Sequence, residues 1–245
     1  MKNNALSIAI VASIGLFLAS IALGVAFYKT KKQTKTVSVV GLAEKDFTSD
    51  LIVWELNLNA QAMDMKQAYS TIKEQSAIVK EFLKNKNIKD SEVDFKKIST
   101  TEMQRYRWDE VNDRSVEIFD GYNAHQTIRI ESKDIAKIEK LVREISELYD
   151  QNIQISSHEP EYYYTKLADL KIEMLAEASK DARNRAETIT KNAGSKLGKL
   201  KSANMGVFQI TAPNSNDDYT WGGTFNTSSK EKRASINMKL TYEVK

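Results

Sequence analysis

Residues 166–193 read KLADLKIEMLAEASKDARNRAETITKNA, and this stretch decides the fold. Leu167, Leu170, Met174, Ala178, Ala182, Ala186, Ile189 and Ala193 recur at steps of three and four, which places them on one side of an α-helix. Lys171, Glu173, Glu177, Lys180, Asp181, Arg183, Arg185 and Glu187 fill the other side and face water. Gly194 follows as the left-handed stop. The centre of the apolar side is alanine, so the helix backbone comes close to whatever it covers. The flanking segments carry strand patterns, so the covered surface is a β-sheet.

Working outward, TVSVVGLAEKDF from Thr36 and LIVWELNLNAQA from Leu51 alternate apolar and polar side chains, with Ser49–Asp50 as the turn between them. In the second, Ile52, Trp54, Leu56 and Leu58 form the buried side. Residues 64–85 change to helical spacing, with Asp64 as the N-cap. Strands follow over 94–108 and 116–131, joined at Asn112–Asp113. A helix over 134–149 and a strand over 152–164, broken near Pro160, lead into the long helix. Strands over 200–212 and 234–244 close the chain. The expected order is ββαββαβαββ, an α+β class with helices packed on antiparallel sheets. Residues 213–232, PNSNDDYTWGGTFNTSSKEK, read as a loop, and Tyr219, Trp221 and Phe225 are its candidate contact residues.

The beginning of the chain is different in kind. Residues 1–4 are a short tail, and 5–28 carry no charge and are apolar apart from three serines and Tyr28. About 24 residues at ~1.5 Å each can cross a ~30 Å hydrocarbon core, so the segment is expected to be a transmembrane helix or an uncleaved signal anchor. The apolar run exceeds the ~7–15 residues of a cleaved signal, although Ala19, Ala22 and Gly24 leave cleavage open. Residues 29–35 form a basic flank, and 36–245 form the folded part. The chain has 36 basic and 33 acidic side chains over 245 residues. Five of the lysines and no acid fall in residues 1–35, so the rest holds 31 against 33. The excess positive charge therefore belongs to a membrane flank, and no nucleic-acid surface is expected. Lysines after the apolar segment outnumber those before it, which by charge alone keeps the folded part in the cytoplasm.

The sequence carries few residues suited to chemistry. There is no cysteine, which removes disulfides, thiol catalysis and thiolate metal sites. Of two histidines, His125 sits in an expected strand beside Tyr122 and reads as a sheet-surface residue. His158 lies with Glu159 and Glu161, residue types that bind metals, but Pro160 breaks their spacing. No H-E-x-x-H, P-loop, G-x-G-x-x-G or G-x-S-x-G motif occurs. The expectation is therefore no catalytic residue, no metal and no cofactor. Two aromatic groups stand out, Arg105-Tyr106-Arg107-Trp108 and Tyr162-Tyr163-Tyr164. Tyr106, Trp108, Tyr162 and Tyr164 are the candidate interface, because buried contacts between proteins favour Tyr, Trp and Arg.

Several short motifs now combine. Val37-Ser38-Val39-Val40-Gly41, Ser49-Asp50, Ile98-Ser99-Thr100, Gly121-Tyr122-Asn123-Ala124, and Ala178, Ala182, Arg183, Ala186, Gly194, Leu197 and Gly198 occur in that order. Together they resemble the SIMPL-domain (YggE-like) family, which includes a bacterial periplasmic immunogenic protein. Two positions depart from the family pattern: a proline is missing before Asp50, and Ala43 stands for a glycine. The resemblance implies an exported α+β domain prone to high-order assembly, a link to stress tolerance, and no catalytic residues. It places the domain outside the cytoplasmic membrane, against the literal lysine count. The expectation is a non-enzymatic, membrane-anchored envelope protein that forms a homo-oligomer. The other reading kept open is an extracytoplasmic module binding glycan or peptide.

Overall fold

A computed structural model describes residues 13–25, 27, 35–110, 112–218 and 220–245. The architecture is α+β with antiparallel sheets. Residues 13–25 form helix α1, whose side chains are exposed. Of the expected spanning segment, residues 5–12, 26 and 28 lie outside the described residues, as do 1–4 and 29–34. Among the described residues no helix is long and apolar enough to cross a membrane.

The folded part runs β1 (Thr36–Thr48), β2 (Leu51–Ala62), α2 (Met65–Asn85), β3 (Val93–Phe95), β4 (Ser99–Asp109), β5 (Arg114–Ser132) and α3 (Ile135–Glu144). It continues with β6 (Ile155–Ser157), β7 (Glu161–Tyr163), α4 (Leu167–Asn192), β8 (Leu197–Met205), β9 (Gln209–Thr211) and β10 (Glu231–Val244). The order is ββαβββαββαβββ, so three expected strands are each divided in two. Residues 94–108 divide at Lys96–Ile98, 152–164 at His158–Pro160, and 200–212 at Gly206–Phe208. The expected helix over 134–149 also divides: α3 ends at Glu144 and a 3₁₀ turn runs Ile145–Gln151. That turn ends where Asn152 takes a left-handed conformation, φ 58°. Asp64 and Asp134 cap α2 and α3 by accepting from Gln67 N and Lys137 N.

The chain divides into two compact units. The larger comprises Glu44–Met174 and Val207–Ile236. Its six-stranded sheet has the order β3-β5-β2-β6, with β4 on β5 and β7 on β2. Ile52, Trp54, Leu56 and Leu58 point to one side, as their alternation requires, and are fully buried against α2 and α3. The opposite side is polar. There Asn57, Asn59, His125 and Thr127 bond one another, and Arg129 pairs with Glu55 at 3.3 Å.

The smaller unit comprises Met1–Ala43, Leu175–Gly206 and Asn237–Lys245. Here α4 lies on the sheet β1-β10-β8. Ala178, Ala182 and Ala186 are all fully buried. The reason for alanine is Gly41. A Cβ at position 41 would lie 2.2 Å from Ala178 O and 2.4 Å from Ala182 N, so strand and helix backbones touch directly. The expected stripe is corrected at its end. Ile189 is 49% exposed and Ala193 is exposed, while Thr190 is buried. Steps of four carry the buried line from 186 to 190, and Thr190 satisfies its hydroxyl by bonding Ala186 O at 2.9 Å. Gly194, φ 70°, ends the helix as expected.

Candidate functional site

The candidate interface residues lie in the larger unit and divide into two kinds. Tyr106 and Trp108 stand on β4, which with β5 forms a ribbon longer than the rest of the sheet. β2 pairs with β5 only from Ala62 opposite Tyr122 to Ile52 opposite Ser132. β4 pairs with β5 from Ser99 opposite His125 to Asp109 opposite Arg114. From Gly121 outward the ribbon is therefore two strands wide. The register slips between Met103 and Gln104, where Gly121 takes φ 103°. A Cβ there would lie 2.7 Å from Ala62 O, so the bend at the ribbon's root requires glycine.

Cross-strand partners share a face. Gln104, Tyr106 and Trp108 pair with Phe119, Glu117 and Ser115, which puts three aromatic rings on one side of the arm. Tyr106 is 71% exposed, Trp108 59% and Phe119 41%. The Tyr106 hydroxyl donates to Glu117 Oε1 at 2.5 Å, and that bond raises the phenol's pKa. Arg105 on the other side pairs with Asp120 at 3.3 Å. An isolated two-stranded ribbon is marginal in water, and this one leaves Tyr106 and Trp108 uncovered while Phe119 packs edge-on against Tyr122, centroids 5.3 Å apart.

Tyr162 and Tyr164 are half-buried, and each already has a partner within the unit. Tyr162 packs against the core, and its hydroxyl donates to Glu139 at 3.2 Å. Burial, then the Glu139 carboxylate, raise its pKa. The Tyr164 ring packs at a tilt of 54° against Phe47, centroids 4.8 Å apart.

The 213–232 segment is less loose than its composition implies. Thr224 N donates to Gln209 Oε1, Ile210 N to Thr224 O, and Asn226 N to Ile210 O. Asp217 accepts from Ala212 N and Asn226 Nδ2, and these bonds hold its carboxyl below the usual range. Lys232, placed by composition in the loop, belongs to β10 and is fully buried. Its ammonium donates to Asn226 O at 2.5 Å and Ser229 O at 2.7 Å, and burial lowers its pKa to about 8. The signal for it was alternation: Lys232 is in phase with Ala234, Ile236, Met238 and Leu240 on the inward side. Of the loop aromatics, Phe225 lies 6.3 Å from the Tyr163 ring, Trp221 is 99% exposed, and Tyr219 lies outside the described residues.

Among the described residues no three His, Cys, Asp or Glu side chains come together as metal ligands. His158, Glu159 and Glu161 instead line a pocket with Val53 and Glu55, where His158 N donates to Glu55 O.

No curated protein matches the chain. Among solved structures it is similar to the de novo designed protein Foldit4, at 20% identity over 44% of this chain and 93% of that one, with a TM-score of 0.21. A family model described as SIMPL, protein of unknown function (DUF541), matches residues 37–242, from the second residue of β1 almost to the end of β10. The chain belongs to the SIMPL family.

Proposed function

We propose that this chain is a non-enzymatic assembly module of the cell envelope, tethered by residues 5–28 and self-associating beyond a dimer. The observation that carries the assembly is the β4–β5 arm, whose Tyr106, Trp108 and Phe119 share one open face. Burying such rings against another protein gains contact area at small entropic cost. The tether adds to this, because confinement in a membrane raises the effective concentration of the arms. The uncharged run 5–28 supports the tether, and the family resemblance supports an extracytoplasmic domain and a role in stress tolerance. Changing Tyr106 and Trp108 together to alanine tests the arm. Both are exposed, so the monomer fold should survive while the mass measured by light scattering falls. An unchanged mass with an unchanged circular-dichroism spectrum removes the arm from the interface.

A second reading rests on Trp221. A fully exposed indole on a segment pinned by Gln209, Asp217 and Lys232 is a presented contact, and glycan or peptide is the ligand class it fits. Binding to a glycan array or immobilised peptidoglycan that disappears in Trp221→Ala supports it, and equal binding by that variant removes it.

A further inference from the structure

The smaller unit carries both halves of a strand-exchange joint. Its sheet has the order β1-β10-β8, so among the described residues β1 and β8 are the two edges. Ser49 N bonds Lys230 O and Val244 N bonds Lys35 O, which makes odd-numbered residues of β1 the ones bonded to β10. The N–H and C=O groups of Ser38, Val40 and Leu42 therefore point away from the sheet. Leu42 N confirms the phase by donating outward to Asp181 Oδ2 on α4. The edge from Thr36 to Leu42, TVSVVGL, has no charge and no proline, the features that normally block strand addition. Beside it runs an open groove of about 610 Å³, with β1 as one wall and Asn184, Arg185, Thr188 and Ile189 of α4 as the other. An edge strand facing a helix across a groove is the geometry that takes an extended chain as an added strand.

β8 is a strand with the complementary defect. Met238, Leu240 and Tyr242 of β10 are buried under α4, but their partners on the same face, Met205, Ala203 and Leu200, are exposed. Leu200 is 53% and Met205 65% exposed. α4 touches β1 directly at Gly41, and the β8 side chains on the same face of the sheet are left exposed. Residues 196–206 hold Lys196, Lys199 and Lys201 and no acid, and Arg185, the one charged residue lining the groove, is paired with Asp181 at 2.8 Å, so it sets no free cation against those lysines.

We infer that the β1–α4 groove receives β8 of a second copy of this chain, so that copies join head to tail into one continuous sheet. The contact is heterologous, and repetition closes a ring or extends a filament. In it Ala203 and Met205 gain the helical cover they lack, from the α4 of the next copy. This inference rests on the assembly reading and adds a surface separate from the β4–β5 arm.

The register names the test. Val40 is level with Lys239, and Lys239 with Asn204, both on the side away from α4. A closed ring holds Asn204 of one copy near Val40 of the next, within the ~4.4–6.8 Å Cα separation that a disulfide spans. The native chain has no cysteine, so every crosslink is engineered. Full-length Val40→Cys/Asn204→Cys in mild detergent should give, on oxidation, a ladder through trimer and above. Val40→Cys/Ser202→Cys, one pleat away, covers a sheared register. Each single variant should stay monomeric on the same gel. Val40→Pro should lower the native mass with an unchanged circular-dichroism spectrum, since it deletes an outward donor and no bond to β10. A dimer from Val40→Cys alone identifies β1 pairing with itself and overturns the head-to-tail joint. An oligomer in which neither pair crosslinks overturns this joint and leaves the assembly reading standing. A monomer by light scattering overturns both.

Discussion

Gly41→Ala should be the costliest one-methyl change available in this protein. The added Cβ would meet Ala178 O at 2.2 Å, Ala182 N at 2.4 Å and Ala182 Cβ at 2.7 Å. The two nearest atoms are backbone, so no rotamer change can relieve the contact, and α4 must shift off β1. Overpacking of this kind costs about 1–3 kcal/mol when side chains can adjust, and the absence of that route places Gly41→Ala at about 3 kcal/mol or more. For a chain of this size each kcal/mol lowers Tm by ~2–4 °C, giving a fall of about 6–12 °C. The same shift breaks the bond from Leu42 N to Asp181. Circular dichroism at 222 nm against temperature reads the loss. Ala182→Gly in the same chain removes one of the three contacts and should restore only a minor part of it. A Tm within 2 °C of the native protein would refute direct contact between strand and helix backbones.

Other expectations follow from the same structure. Ala182→Arg places a long cation at a fully buried helix position and should cost several kcal/mol, read by thermal melting, whereas Arg183→Ala removes only an exposed pair with Glu187 and should leave the melting temperature essentially unchanged. Lys232 has a folded pKa near 8 against an unfolded value near 10.5, so between those values the unfolded chain binds more protons and stability rises with pH. Relative to Lys232→Met, the native protein should therefore gain up to ~3 kcal/mol from pH 8 to 10.5 in urea melts, and parallel curves for the two would contradict the burial of that charge. Full-length protein should stay with membranes through alkaline carbonate extraction, and its recovery in the soluble fraction would remove the tether.

Much of the fold was legible because it depends on period. The alternation of Ile52, Trp54, Leu56 and Leu58 and the four-residue steps of Ala178, Ala182 and Ala186 are local patterns, and packing follows them directly. The small size of those alanines also implied close approach, though not that Gly41 was the partner. What escaped were features set by distant partners. The local pattern of Tyr162 and Tyr164 gives no sign that Glu139 and Phe47 stand beside them. Lys232 looks like loop until the inward phase of β10 buries it among carbonyls from Asn226 and Ser229. The two-stranded arm depends on where β2 ends relative to β5, a register that neither strand encodes alone. Ile189 and Thr190 exchanged places because α4 follows steps of four past Ala186, a choice that side-chain polarity argued against.

If this protein works as an assembly, its absolute mass in solution reveals it. Residues 36–245, measured by multi-angle light scattering at tens of micromolar, should give one defined species heavier than a dimer. A monodisperse monomer with a normal circular-dichroism spectrum would contradict the account and leave the Trp221 contact as the function to pursue.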